Sequence, residues 1–157
     1  MASHKRSIGP ITRWLSGWAR RYMNRRPPDF VIGNDYLRRW YVIPKNRLFN
    51  VYLHAVIKSD DDRALHDHPW LGNMSWVLSG CYREHMPNGS RLLEGGSRVF
   101  RGARSPHRLE VVASPVLSLF ITGPKVREWG FHCPNGWRHW KEFTAPDDSG
   151  KVGRGCD

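Results

Sequence analysis

The sequence predicts an all-β domain, an antiparallel sandwich or barrel, with a single basic helix in front of it. Three observations predict it. Short runs rich in β-branched and aromatic residues recur through residues 29–143. Turn signals separate them, at Pro44-Lys45-Asn46, Pro87-Asn88-Gly89, Gly95-Gly96, Ser114-Pro115 and Pro134-Asn135-Gly136. Helical periodicity is confined to the start of the chain.

Residues 1–28 carry Lys5, Arg6, Arg13, Arg20, Arg21, Arg25 and Arg26 and no acidic residue. Within them Ile11, Trp14, Leu15, Trp18 and Tyr22 recur at helical spacing. Thr12 stands where it can cap a helix, and Pro27-Pro28 would end one. This basic amphipathic lead-in is expected to pack its Trp face on the domain and leave its Arg side chains in water. The alternative is a surface helix for nucleic acid or anionic lipid. Strands are predicted over residues 29–32, 38–43, 50–58, 75–85, 98–100, 107–112 and 116–122, with a final stretch over 127–140. Residues 144–157, TAPDDSGKVGRGCD, are polar and Gly-rich and predict a flexible tail.

The chain has 157 residues, the length of one domain, and is 39% hydrophobic with eight Trp and six Phe, enough for one core. No run of about 18 apolar residues exists, so no membrane span is expected. The opening MASHKRSIGP lacks the apolar segment of a secretory signal, which predicts a soluble, cytoplasmic protein. Cys81, Cys133 and Cys156 are odd in number and widely spaced, with no C-x-x-C pair, so neither a disulfide framework nor a zinc ribbon is expected. A net charge of +11 favours an anionic partner, whether nucleic acid, acidic lipid or a small anion. The chain contains no P-loop, G-x-G-x-x-G, H-E-x-x-H or G-x-S-x-G pattern, which speaks against the corresponding nucleotide, zinc-protease and serine-hydrolase chemistries.

His66-Asp67-His68 is the most informative triplet. On a strand, alternate side chains share a face, so His66 and His68 point together and Asp67 points away. Two imidazoles about 7 Å apart along the strand can converge on one ion. His107 supplies a third candidate ligand, because it opens a strand whose inward row continues through Leu109 and Val111. Glu84 shares strand parity with Trp76, Leu78 and Tyr82 and is a possible further ligand. Glu110 lies on the opposite parity from His107 and is set aside.

Residues 66–80, HDHPWLGNMSWVLSG, resemble the first cupin motif, which runs His-x-His, then Glu, then Gly. Residues 102–107, GARSPH, resemble a compressed second motif of Gly, Pro and His. PPDFVIG at 27–33, YLRRWYVIP at 36–44, RALHDHPW at 63–70 and ITGPKVREWGFHCPNGW at 121–137 resemble small bacteriophage and bacterial cupin-like proteins. The resemblance implies a single cupin barrel (a double-stranded β-helix, or jelly roll) over residues 29–143. It also implies a possible homodimer and, if the gene is phage-encoded, a bacterial host. The motif's Glu falls near Asn73, which leaves three His ligands. Three neutral imidazoles with open positions suit a divalent metal, Fe(II) ahead of Zn(II), Ni(II), Mn(II) or Cu(II). This ligand set resembles that of thiol dioxygenases. The Cys that replaces the motif's Glu in mammalian-type cysteine dioxygenases is absent.

Around these ligands, Arg63, Arg104 and Arg127 are candidates to clamp an anionic substrate through their guanidinium forks. Trp70 and Trp129 are candidate walls, and Asn73 and His54 candidate outer-sphere partners of the ligands. The aromatic segment 129–137 reads equally as a lid or as a packed Ω-loop. The function expected is a metal-binding cupin, a non-haem iron dioxygenase or related oxygenase acting on a small anion. Two alternatives stand beside it. One is a non-oxidative sugar- or nucleotide-type isomerase or ligand-binding cupin. The other is a basic phage protein that binds nucleic acid or protein, with residues 1–28 as the nucleic-acid contact.

Overall fold

The structure, a computed structural model, describes residues 8–33, 35–59 and 64–157. The helix α1 spans Pro10–Asn24. Pro10 sits in its first turn, where a missing N–H costs no hydrogen bond. Gly9 is the N-cap. Thr12 is therefore not the cap that the sequence suggested. It lies inside the helix, buried, and its Oγ1 accepts a hydrogen bond from Trp76 Nε1 at 3.3 Å.

Strands follow in the order β1 Phe30–Ile32, β2 Leu37–Tyr41, β3 Asn50–Val56, β4 Leu65–His66, β5 Gly72–Met86, β6 Gly89–Glu94, β7 Arg98–Gly102 and β8 Arg108–Thr122. After them come β9 Gly130–Cys133, β10 Gly136–His139, the helical turn α2 Trp140–Phe143, β11 Thr144–Ala145 and β12 Asp148–Val152. A seven-stranded antiparallel sheet has the order β1-β2-β3-β8-β5-β6, with β7 on the other half of β5. A three-stranded sheet has the order β10-β9-β4. The two line one cavity between them but do not close into a barrel; an isolated bridge at His66–His107 joins them. The expected barrel is thus a pair of facing sheets.

The large sheet buries both faces. One core holds Leu37, Val56, Val77, Tyr82, Val99 and Val116. The opposite face holds Trp40, Leu53, Ala55, Leu78 and Leu117, and Leu15, Trp18, Tyr22 and Met23 of α1 pack on it. The lead-in helix therefore docks on its own domain, held also by Tyr22 Oη to Tyr41 O at 2.9 Å. Trp14 and Ile11 stay exposed. No helix among the described residues is long and apolar enough to cross a membrane.

A bulge in β5 decides which residues reach the cavity side. The β5–β8 register shifts between Val77 and Ser79, Ser79 and Cys81, and Cys81 and Tyr82. Before it the inward residues are odd-numbered (Ser75, Val77); after it they are even-numbered (Tyr82, Glu84). Simple alternation, which puts Glu84 on the face of Trp76 and Leu78, fails here for that reason. Gly80 permits the bulge: its φ is 80°, and a Cβ would meet Pro115 O at 2.6 Å and Ala113 O at 2.8 Å.

Two further expectations change. The segment 144–157 is not a loose tail, because β11 and β12 pair and the N–H groups of Gly153 and Gly155 both donate to Phe143 O at 3.0 Å. Cys156 also forms a disulfide with Cys133, with Cα atoms 5.5 Å apart, so two of the three cysteines are paired. An odd cysteine count with wide spacing carries no signal for that pair, which the fold alone brings together.

Gly80→Ala should cost roughly 2–4 kcal/mol, because strain at positive φ adds to a backbone clash. Gly89→Ala, at φ 129° with nothing within 4 Å, should cost only about 1 kcal/mol. Urea midpoints of the two variants check this; equal losses would contradict the account of the bulge.

Candidate metal centre

The ligand segments are locked to each other by backbone. His66 N donates to His107 O and His107 N to His66 O, both at 2.9 Å, and His68 N donates to Ala103 O at 3.1 Å. The ligand nitrogens of His66, His68 and His107 all lie within 4.8 Å of one another, with His68 Nε2 and His107 Nε2 2.8 Å apart. Metal–nitrogen bonds of about 2.0–2.1 Å in tetrahedral geometry put ligand nitrogens a little over 3 Å apart, so small adjustments would fit a first-row divalent ion.

Alternation sends Asp67 the other way, where it is 1% exposed. Its Oδ1 accepts from Gly130 N at 2.9 Å and its Oδ2 from Trp137 Nε1 at 3.0 Å. Arg127 Nη1 pairs with the same Oδ2 at 2.9 Å, and His132 Nε2 lies 3.3 Å from it. The segment 129–137 is thus neither a free lid nor an Ω-loop. It is the β9–β10 hairpin, pinned by Asp67 and paired through β9 to β4.

The donor set suits a cation. His107 Nδ1 lies 2.6 Å from Glu84 Oε1. With its proton on Nδ1 facing that carboxylate, His107 presents a bare Nε2 lone pair to the site. Burial alone would raise the Glu84 carboxyl, but the His107 hydrogen bond and the Arg101 charge outweigh it and bring it down to about 2. Burial pushes His107 down to about 3 against the pull of Glu84, and pushes His68 well below its ordinary value. Both imidazoles are therefore neutral at pH 7, as metal ligation requires.

Glu84 thus stands behind His107 rather than among the three ligand nitrogens. Its Oε1 also accepts from Arg101 Nε at 2.5 Å, and its Oε2 from Arg91 Nε at 2.6 Å. Arg101 is itself buried and reaches Ser75 Oγ at 2.8 Å and Asn73 Oδ1 at 3.4 Å. Asn73 is accordingly one link further out. His54 lies on β3 and faces the cavity, where its Nε2 accepts from Arg39 Nε at 2.9 Å.

The cavity has a volume of about 330 Å³. Trp70 lines it and stacks on His68 with ring centroids 5.6 Å apart; Trp129 lines it with an edge contact to His66 at 6.3 Å. Of the arginines chosen by closeness in sequence, Arg104 and Arg127 do not line it. Arg104 is exposed, and Arg127 is turned to Asp67 and to the carbonyls of His68 and Ala103. Arg63 lies outside the described residues. Among the described residues the arginine that does line the cavity is Arg39, which sequence reasoning passed over. In Leu37-Arg38-Arg39 the signal was alternation: Leu37 and Arg39 share the inner face, while Arg38 turns out to pair with Asp35.

No family model matches the chain, and comparison with curated proteins finds no match. Solved structures do match. A Klebsiella pneumoniae protein with a double-stranded β-helix domain is 19% identical, with a TM-score of 0.52 over 63% of this chain and 86% of that one. KdgF from Halomonas is 13% identical, with a TM-score of 0.48 over 62% of this chain and 96% of that one. The DMSP lyase DddQ from Ruegeria pomeroyi is 18% identical, with a TM-score of 0.47 over 57% of this chain; the chain spans 47% of that lyase. At these identities the likeness concerns the fold alone, a double-stranded β-helix.

Two predictions follow from the site's electrostatics. Glu84→Gln should weaken Zn(II) affinity about 10- to 100-fold, read by competition with a chromogenic chelator; unchanged affinity would contradict its role behind His107. Stability of the chelator-treated protein should fall as pH drops from about 6.5 toward 3. His107 and His68 resist protons that the unfolded chain accepts across that window, and Glu84 adds the same sign from about 4.5 down to 2. A urea midpoint constant between pH 7 and pH 4 would contradict this.

Proposed function

We propose that the protein is a metal-dependent cupin enzyme, a non-haem iron oxygenase acting on a small anionic molecule. One observation carries the reading: three imidazole nitrogens within 4.8 Å of one another at an aromatic-walled cavity. A divalent ion held by three imidazoles keeps coordination positions open and supplies Lewis-acid or redox chemistry there.

The chain's own residues would do the rest. The His66–His107 backbone pair sets the spacing of the ligand segments, and Asp67 holds the flanking hairpin still. Glu84 keeps the Nδ1 proton on His107 and leaves Nε2 free to ligate. Trp70, Trp129, Phe120 and Phe131 exclude water from the cavity. Three-imidazole coordination with open positions suits a divalent metal; we take Fe(II) as the first candidate, with Zn(II), Ni(II) and Mn(II) behind it. Among the described residues the cavity lining contains no Asp or Glu, which supports an anionic rather than a cationic substrate.

Elemental analysis of protein loaded anaerobically with Fe(II) should find one ion per chain, and His66→Ala or His68→Ala should remove it while the fold survives by circular dichroism. Oxygen uptake by the iron form with a panel of small thiols and carboxylates should then exceed that of the variants. Metal retention without oxygen uptake would move the reading to a non-oxidative lyase or isomerase. Absence of metal in the wild type would overturn it.

A further inference from the structure

Arg39 sits where an arginine has little structural reason to be. It lies on β2 and faces the cavity, in a cross-strand row with His54 of β3 and Ser118 of β8 that also line it. Two contacts hold the side chain. Its Nε donates to His54 Nε2 at 2.9 Å, and its guanidinium carbon lies 4.7 Å from the centre of the Tyr52 ring. Neither contact neutralises its charge. His54 is itself held neutral, by burial first and by the Arg39 charge second.

Among the described residues no carboxylate pairs with Arg39 and none lines the cavity. Among the described residues every other cavity-facing or site-backing cation has an acid: Arg101 and Arg91 share Glu84, and Lys151 lies 3.6 Å from Asp148 Oδ2. A guanidinium kept in an apolar cavity without an anion is costly, and a bound anion removes that cost. The Nε contact to His54 leaves both Nη groups, whose paired N–H vectors match the two oxygens of a carboxylate.

The position relative to the metal ligands also fits. An aromatic path runs from His68 through Trp70 and Phe120 to His54, with successive centroids 5.6, 5.7 and 4.9 Å apart.

We propose that Arg39, steadied by His54, anchors a carboxylate, so that the molecule taken by this cavity is a small carboxylic acid lying along the Trp70–Phe120 path with its other end at the three histidines. Only that last clause rests on the metal reading; the anion subsite stands on Arg39 and its surroundings. Phosphate is the competing anion. The paired Nη groups of one cation without an acid favour a carboxylate monoanion over a tetrahedral dianion.

The test uses full-length protein, with and without chelator, titrated with benzoate, pyruvate and inorganic phosphate. Tryptophan emission is the signal, since Trp70 and Trp129 line the cavity. The expected result is saturable quenching by the carboxylates in both forms, weakened at least about tenfold, or about 1.4 kcal/mol, in Arg39→Gln and partly restored in Arg39→Lys. Should Arg39→Gln fail to fold, arginine-labelled wild-type protein serves, in which benzoate should shift one guanidinium signal that is missing from Arg39→Lys. Carboxylate binding that is intact in Arg39→Gln, absent from the wild type, or outcompeted by phosphate overturns the proposal. Arg39-dependent binding in protein that retains no metal would sustain this subsite while the metal reading fails.

Discussion

The arrangement hangs on two backbone hydrogen bonds, His66 N to His107 O and His107 N to His66 O. They are the point at which the small sheet is tied to the large one, and they fix the residues that carry the imidazoles. Strand alternation then does two jobs at once. His66 and His68 face the cavity, and Asp67 between them faces the β9–β10 hairpin. The residue that cannot ligate is the one that immobilises the neighbouring wall. A slip of one residue in this bridge would exchange the two roles.

Behind the ligands lies a buried ionic chain from Arg101 through Glu84 to His107. Burying it costs desolvation, which the paired charges and hydrogen bonds offset. Such a chain contributes little net stability for its cost, but it orients the imidazole and selects its tautomer. Its geometry depends on the bulge at Gly80, which brings Glu84 to the inner face of β5. Local backbone conformation and site chemistry are coupled through that one residue.

Much of this was legible in the sequence. The all-β class, the docked helix and most strands followed from periodicity and turn signals, and the convergence of His66 and His68 followed from a two-residue period. What was not legible has physical causes. The strand β6, GSRLLE, is largely exposed and polar, so its pattern gave no apolar alternation. Alternation counts residues and is blind to a bulge, so Glu84 was assigned its face by the wrong neighbours. Arg104 and Arg127 were favoured by nearness along the chain, whereas Arg39 reaches the cavity from a distant strand by register. The Cys133–Cys156 pair and the ordered C-terminal hairpin are tertiary consequences that composition does not encode. The disulfide also removes part of the argument for a cytoplasmic location, which had treated all three thiols as free.

X-ray absorption at the metal edge of Zn(II)-loaded protein tests the central claim most directly. Three imidazole scatterers with nitrogen at about 2.0–2.1 Å and a light-atom ligand completing the sphere is the result the structure predicts. A sulfur scatterer at about 2.3 Å, or a sphere of light atoms without imidazole multiple scattering, would contradict it.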